Sequence, residues 1–192
     1  MKHKLISALT CMFIFLFTIT TTAQNEAEMK AWMEYMTPGD MHKLLATMEG
    51  EWTMEGKMWM DPSAQPVNSK GEATYKMILG GRYQESEFKG DFMGQPFEGK
   101  GLMAYDNIKK KFESSWIDNM GSGIMRTEGS YDAGKKTFAL DGTAVDPTTG
   151  KECKIRETLQ VVDDDTHVMT MYNTMGGKPE FKSMEMTFKR KK

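Results

Sequence analysis

The chain has 192 residues, a length typical of one domain, and its 25 Lys and Arg nearly balance its 27 Asp and Glu. This balance excludes the strongly basic surface that nucleic-acid binding requires, so no nucleic-acid partner is expected. Only Cys153 follows residue 23, so that part of the chain can form no internal disulfide and is held by packing alone.

The first 23 residues have the pattern of a secretory signal peptide. A basic start, Met1–Lys4, precedes the apolar run Leu5–Ile19 and the small-residue exit Thr20–Ala23. The run is shorter than the roughly 20 residues that a membrane-spanning helix needs, and no later segment is apolar enough to span. We expect cleavage after Ala23 and a periplasmic or secreted protein; retention as an N-terminal anchor is the alternative.

Residues 24–48 have the apolar spacing of two short helices. Thr37 is predicted as N-cap of the second helix, with Pro38 at its first position and Asp40 as the capping-box partner. Each helix has one face to bury, and we expect both to lie against the domain that follows. The apolar stripes, spaced i, i+3, i+4, i+7, are Met29, Trp32, Met33 and Met36 in the first helix and Met41, Leu44, Leu45 and Met48 in the second.

From Gly50 onward the apolar period changes to two, which is typical of half-buried strands. Turn signals separate about ten such strands, and the connections are too short for parallel crossovers. Residues 49–192 are therefore predicted to form an all-β domain, an antiparallel up-and-down barrel. The turn signals are Gly80-Gly81, 89–91, Asp106-Asn107, 119–123, 132–134, 146–150, 163–165 and Gly176-Gly177.

One motif occurs twice within this domain. The pattern Tyr-Asp-x-x-Lys-Lys-x-Phe runs from Tyr105 to Phe112 and again from Tyr131 to Phe138. It predicts a hairpin in which Asp accepts turn amides, the lysines lie in solvent and Phe begins the return strand. A paired anion site is the alternative, although charge clusters at turns are usually solvated.

Methionine is unusually frequent, with 20 residues in the chain and 18 of them after residue 23. These residues fall on the helical stripes and on the apolar faces of strands, where flexible core side chains belong. Copper handling is the alternative, but no methionine cluster with interleaved histidine occurs. The same side chains are also suited to an adaptable cavity.

The helix before Gly50-Glu51-Trp52 resembles the start of a lipocalin. In that superfamily the Trp closes one barrel end against a basic side chain of the last strand, which implies a role for Arg190 or Lys189. A longer resemblance, over about residues 42–189, is to a family of exported bacterial proteins classed as a domain of unknown function near the lipocalins. It implies a lipocalin-like barrel and export, and no activity. It rests on 59–62, 80–83, 88–99, 101–107 and 115–121.

Few residues suggest catalysis or metal binding. His42 and His167 are the histidines after residue 23, and no Cys or His cluster has zinc spacing. Gly121-Ser122-Gly123 is too short for a nucleophile elbow. His167 is the candidate for haem ligation, but we expect a surface turn histidine. We therefore predict no catalytic residue, no metal and no cofactor.

Glu157 has the parity of the apolar Cys153, Ile155 and Leu159, so it is predicted to point inward. A buried carboxylate needs a partner, and we expect Arg82, Arg126 or Arg156 to reach it. A structural ion pair, or an outward pair displaced by a bulge, is the alternative. The predicted ligand-binding residues are Arg82, Tyr83, Trp116, Arg126, Glu157 and Tyr172.

Together these features favour a carrier of a small hydrophobic or amphipathic molecule inside the barrel, acting as a monomer or weak homo-oligomer. A barrel enzyme with a Glu/Arg/Tyr pocket is one alternative. A non-catalytic envelope interaction module, using residues 24–48 or the tail Lys189–Lys192, is the other.

Overall fold

The computed structural model describes residues 24–175 and 179–192, in two compact units that divide after Thr37. The first unit contains helix α1, residues 24–36, which ends where the Thr37 hydroxyl donates to the Met33 carbonyl at 2.6 Å. Its stripe of Met29, Trp32, Met33 and Met36 is exposed. No helix among the described residues is long and apolar enough to span a membrane. The predicted signal peptide and the predicted turn at Gly176-Gly177 lie outside the described residues.

The second unit, Pro38–Lys192, is a closed antiparallel barrel of ten strands preceded by the short helix α2, Asp40–Ala46. Every strand pairs with its sequence neighbours, and β1 closes the sheet by pairing with β10, which confirms the predicted up-and-down barrel. The strands are β1 Gly50–Met58, β2 Val67–Ile78, β3 Tyr83–Phe92, β4 Gln95–Asp106, β5 Lys111–Asp118, β6 Met125–Asp132, β7 Thr137–Val145, β8 Glu152–Asp163, β9 Thr166–Met175 and β10 Phe181–Arg190.

One predicted turn is wrong. Residues 89–91 continue β3, and the chain reverses two residues later at Met93-Gly94, where both residues have positive φ. Gly90 is needed for a close approach between strands, because a Cβ there would lie 2.6 Å from the Lys70 carbonyl oxygen. Asp91 stabilises the turn at Met93-Gly94 because its carboxylate accepts a hydrogen bond from the Gly94 amide at 2.8 Å.

The start of α2 also differs from the prediction. Gly39 is the N-cap instead of Thr37, and the Gly39 amide donates to His42 Nδ1 at 3.0 Å. Burial lowers the pKa of His42, which keeps Nδ1 available as an acceptor at neutral pH.

Helix α2 covers one end of the barrel. Leu45 is fully buried, and its carbonyl accepts a 2.7 Å hydrogen bond from Nε2 of the buried Gln84 on β3. The Glu49 carboxylate accepts the Met77 amide at the end of β2. This end, which we call the closed end, is filled by Leu45, Met48, Phe112, Phe138, Leu140 and Leu159.

Trp52 and Arg190 join the first and last strands at the closed end. The guanidinium lies 4.3 Å from the Trp52 ring centroid and donates to the carbonyls of Thr47, at 2.8 Å, and Glu49. The Trp52 indole N–H donates to the Met48 carbonyl at 3.0 Å. Of the two basic residues proposed for this position, Arg190 is therefore the one that packs on the tryptophan.

His167 is buried, which corrects its assignment to a surface turn. Its ring lies 4.3 Å from the Trp52 ring, centroid to centroid, and is tilted by 32°. Burial, and then the nearby Arg190 charge, lower its pKa to about 4, so the imidazole is neutral at pH 7. His167 therefore packs as an aromatic ring.

The repeated motif forms two hairpins at the closed end, as predicted. Asp106 accepts the Ile108 and Lys109 amides at 2.7 and 2.9 Å, and Asp132 accepts the corresponding amides of the second copy. Phe112 and Phe138 pack edge to face at 5.0 Å in the core. The repeat therefore has a structural role.

Candidate functional site

The barrel encloses a cavity of about 280 Å³. Gln84, Met103 and Leu159 lie at its inner end, close to α2 and the closed-end core. Its lining extends to Phe92, at the opposite end of β3. This volume lies just below the roughly 300 Å³ at which the usual range of small-molecule pockets begins, so the cavity suits one small ligand.

Methionines from three neighbouring strands form one wall of the cavity. Met58, Met184 and Met171 are cross-strand partners on β1, β10 and β9, so their side chains form one row. Met186 and Met169 form the next row toward the closed end. Thioether side chains are flexible and polarisable, so this methionine wall can adapt to different ligand shapes.

The opposite wall is aromatic and centres on Trp116. Its indole lies flat on β4, where a Cβ at Gly99 would overlap the ring. Phe88 packs edge to face at 4.9 Å, and Phe97 stacks at 6.4 Å. The indole N–H donates to Asp118 Oδ2 at 2.7 Å, which fixes the ring plane. The wall presents a rigid, flat surface.

Glu157 is the unusual polar group of the cavity. It lies on β8 beside Met171, at the end of the first methionine row. Its side chain is half-buried by surface area and lines the cavity. Burial raises the pKa of its carboxyl from 4.5 to about 7. Near neutral pH the group can therefore accept or donate a proton.

Tyr75 on β2 also points into the cavity, four strands away from β8 around the barrel. Its ring packs edge to face against Phe88 at 5.8 Å. Burial, and secondly the negative charge of Glu157, raise the pKa of Tyr75 far above its ordinary value, so its hydroxyl remains protonated. Tyr75 was missed from the sequence, although it shares the parity of the inward Ala73.

The expected arginine partner of Glu157 is not found. Arg156 points outward, pairs through two hydrogen bonds with Glu180 at 3.0 and 2.6 Å, and covers the Tyr172 ring. Arg82 donates to the Leu79 carbonyl in the β2–β3 turn, and Arg126 is exposed. Adjacent residues of a strand point to opposite faces, which is why Arg156 cannot meet its neighbour Glu157.

Of the six predicted ligand-binding residues, Trp116 and Glu157 line the cavity. Arg82, Tyr83, Arg126 and Tyr172 do not line it, and the structure brings them neither to Glu157 nor to one common site. Their contact with a ligand stays a prediction. The lining residues that were missed include Tyr75, Ser86, Ser114 and Asp118.

The described residues contain no group of three or more His, Cys, Asp or Glu side chains that could hold a metal ion. His42 and His167 belong to the closed end and do not line the cavity. In the described part of the chain, the cavity therefore offers carboxylate, hydroxyl and thioether groups to a ligand, and no imidazole.

Comparison with known proteins agrees with this architecture. A family model described as "Protein of unknown function (DUF1579)" matches residues 37–190. The chain belongs to the DUF1579 family. No curated protein matches the sequence at a significant level.

Two solved structures resemble this DUF1579 barrel. Rv2717c from M. tuberculosis has a TM-score of 0.60 and 15% identity, over 81% of this chain and 100% of that one. The S-type phycobiliprotein lyase CPES from Guillardia theta has a TM-score of 0.56 and 11% identity, over 83% and 96%. Identities this low show the shared lipocalin-like barrel fold alone.

The burial of Glu157 predicts a stability that depends on pH. Because the pKa is higher in the folded than in the unfolded DUF1579 protein, folding is penalised progressively as pH rises from about 4.5 to 7. Glu157→Gln keeps the shape and removes the charge. The free energy of unfolding of this variant should exceed that of the wild type by about 3 kcal/mol at pH 8 and by less than about 1 kcal/mol at pH 5. These values follow from about 1.4 kcal/mol for each unit by which the pKa is raised.

Urea unfolding at both pH values measures this difference. Glu98→Gln, on the exposed face of β4, is the matched control and should change stability equally at pH 5 and pH 8. A Glu157→Gln effect that does not vary with pH, or a loss of stability at pH 8, would contradict the burial of an unpaired carboxyl.

Proposed function

We propose that the barrel binds one small, largely apolar or amphipathic molecule in its interior. The observation that carries this proposal is a cavity of about 280 Å³ inside an otherwise well-filled barrel, with a carboxyl group of its own facing the space. Closely packed interiors contain few voids of this size, and a carboxyl that faces such a void is costly without a function.

The lining has the composition of a binding pocket. Aromatic and thioether side chains dominate it, and a few polar groups, among them Ser86, Ser114 and Glu157, are placed between them. The packed closed end bounds the cavity on one side, and the Trp116 ring offers the ligand a flat contact surface. The phycobiliprotein lyase of similar fold shows that a barrel of this kind occurs in a protein with a different role.

A variant that fills the cavity tests the proposal. Ser86 lies in the lining beside Gly101, where a Cβ would come within 2.5 Å of its hydroxyl, so Ser86→Phe places a ring in the free space. Native mass spectrometry of protein purified from its own host should show a retained small molecule on the wild type. Ser86→Phe should lose it.

Ser115→Phe is the control, because Ser115 is the outward neighbour of the lining residue Ser114 on β5. This variant should retain the same added mass as the wild type. The absence of a bound molecule from the wild-type protein, or its retention by Ser86→Phe, would count against a binding role.

We also propose that the protein is exported and acts in the periplasm or outside the cell. The support is the basic start, apolar run and small-residue exit of residues 1–23. Intact-mass analysis of protein from its host should give a chain that begins at Gln24. Ala23→Asp, which places a charge at the cleavage site, should leave residues 1–23 attached; a wild-type chain that keeps residues 1–23 would refute cleavage.

A further inference from the structure

The charges of the cavity lining have one sign. Glu157 and Asp118 are its two acidic residues, and none of the described lining residues is Lys, Arg or His. In a space of low dielectric constant, unbalanced carboxylates produce a potential that favours cations and repels anions. A lining of this composition therefore favours a positively charged ligand over a negatively charged one.

The two acids differ in the contacts they make. Asp118 Oδ2 accepts the Trp116 indole N–H at 2.7 Å, and Asp118 Oδ1 accepts the Met120 amide at 2.9 Å. Glu157, by contrast, has no hydrogen bond or ion pair with any described residue. A carboxylate that is buried without a partner is strongly unfavourable, and a ligand that supplies a positive charge removes that penalty.

The aromatic wall also favours a positively charged ligand. Tyr75, Phe88 and Trp116 line the cavity together with Glu157, and aromatic ring faces attract cations. The basic side chains nearest in sequence do not compete for Glu157, because Arg156 is held outside by Glu180 and Lys154 is exposed on the outer face of β8.

We infer that the cavity selects small amphipathic molecules that carry a protonated amine, with the ammonium group paired to Glu157 and the apolar part between the methionine wall and Trp116. This inference rests on the proposed binding function and narrows it to one ligand class. The ammonium donates hydrogen bonds to the Glu157 carboxylate, and Tyr75 and Ser86 are further polar groups of the same lining.

Such binding depends on pH. The titratable side chains that line the cavity are Tyr75, Asp118 and Glu157; Leu140 and Met171, the cross-strand neighbours of Glu157, do not titrate. Tyr75 stays protonated throughout the neutral range. Because Glu157 gains a proton on acidification, amine affinity should fall about tenfold or more between pH 8 and pH 5.

Three probes with the same ring system and different head groups test the inference: 1-naphthylmethylamine, 1-naphthylmethanol and 1-naphthoic acid. Calorimetric titration of the ligand-free mature protein at pH 8 should give the amine at least about tenfold tighter binding than the alcohol, and the acid the weakest binding. Lowering the pH to 5 should weaken the amine and leave the alcohol unchanged within about threefold.

Glu157→Gln should abolish the preference for the amine while leaving alcohol affinity within about threefold of the wild type. Glu98→Gln, on the exterior, should behave as the wild type. Equal or tighter binding of the alcohol or acid, or an amine preference that survives in Glu157→Gln, would overturn the inference and leave the proposed binding function standing. If none of the three probes bound, the inference would be overturned, while the proposed binding function would still be decided by native mass spectrometry of the wild type and Ser86→Phe.

Discussion

Seven consecutive residues of β1, from Trp52 to Met58, pair with β10, and this closure gives the sheet an inside. It places the inward methionines of the last two strands beside those of the first, and it holds the Arg190 guanidinium over Trp52. An open sheet of the same strands would have no interior for Glu157 to line. The cavity, the raised pKa of Glu157 and the proposed ligand contacts all follow from the pairing of these two strands.

The two ends of the barrel differ in how completely side chains fill them. At the closed end, large side chains and α2 fill the space, and the polar groups are paired: Gln84 with the Leu45 carbonyl, and the Trp52 indole with the Met48 carbonyl. Toward the other end the interior is left partly empty, and the Glu157 carboxyl has no partner within residues 24–175 and 179–192. Stability is concentrated where packing is complete, while the half with the cavity retains an energetic penalty that a ligand can relieve.

The alternative of an acid–base enzyme is supported in part by the same group. A carboxyl with a pKa of about 7 is suited to proton transfer. The negative charge of Glu157 also contributes to the raised pKa of Tyr75. The arginine of the hypothesised Glu/Arg/Tyr pocket is not at the site, because Arg156 faces outward and binds Glu180. The arrangement therefore favours recognition of a positive ligand over stabilisation of a developing negative charge.

The sequence predicted the barrel well because alternation with a period of two is a local signal that closure does not disturb. It also predicted that Glu157 points inward and that the repeated Tyr-Asp motif forms hairpins, since both depend on neighbouring residues. The sequence did not predict which side chains meet across the interior of the barrel. Parity relative to apolar neighbours identifies the face of a strand, but it does not show which strands meet across the interior, so Tyr75 was missed.

The turn at residues 89–91 and the position of His167 differ from the predictions for the same physical reason. Gly90 signalled a turn but allows a close approach between strands, and His167 was predicted in a surface turn although its ring is buried against Trp52. In each case the deciding contact comes from a residue far away in the sequence. Local composition cannot reveal such a contact.

Among the described residues, Glu157 is a carboxyl that faces the cavity without a hydrogen-bond or ion-pair partner. Its titration by NMR, in protein labelled with ¹³C at the glutamate carboxyl carbon and assigned with Glu157→Gln, tests this most directly. The ligand-free protein should show one glutamate that titrates near pH 7, and this signal should be missing from the variant. A Glu157 signal that titrates at the ordinary glutamate value of about 4.3 would contradict it.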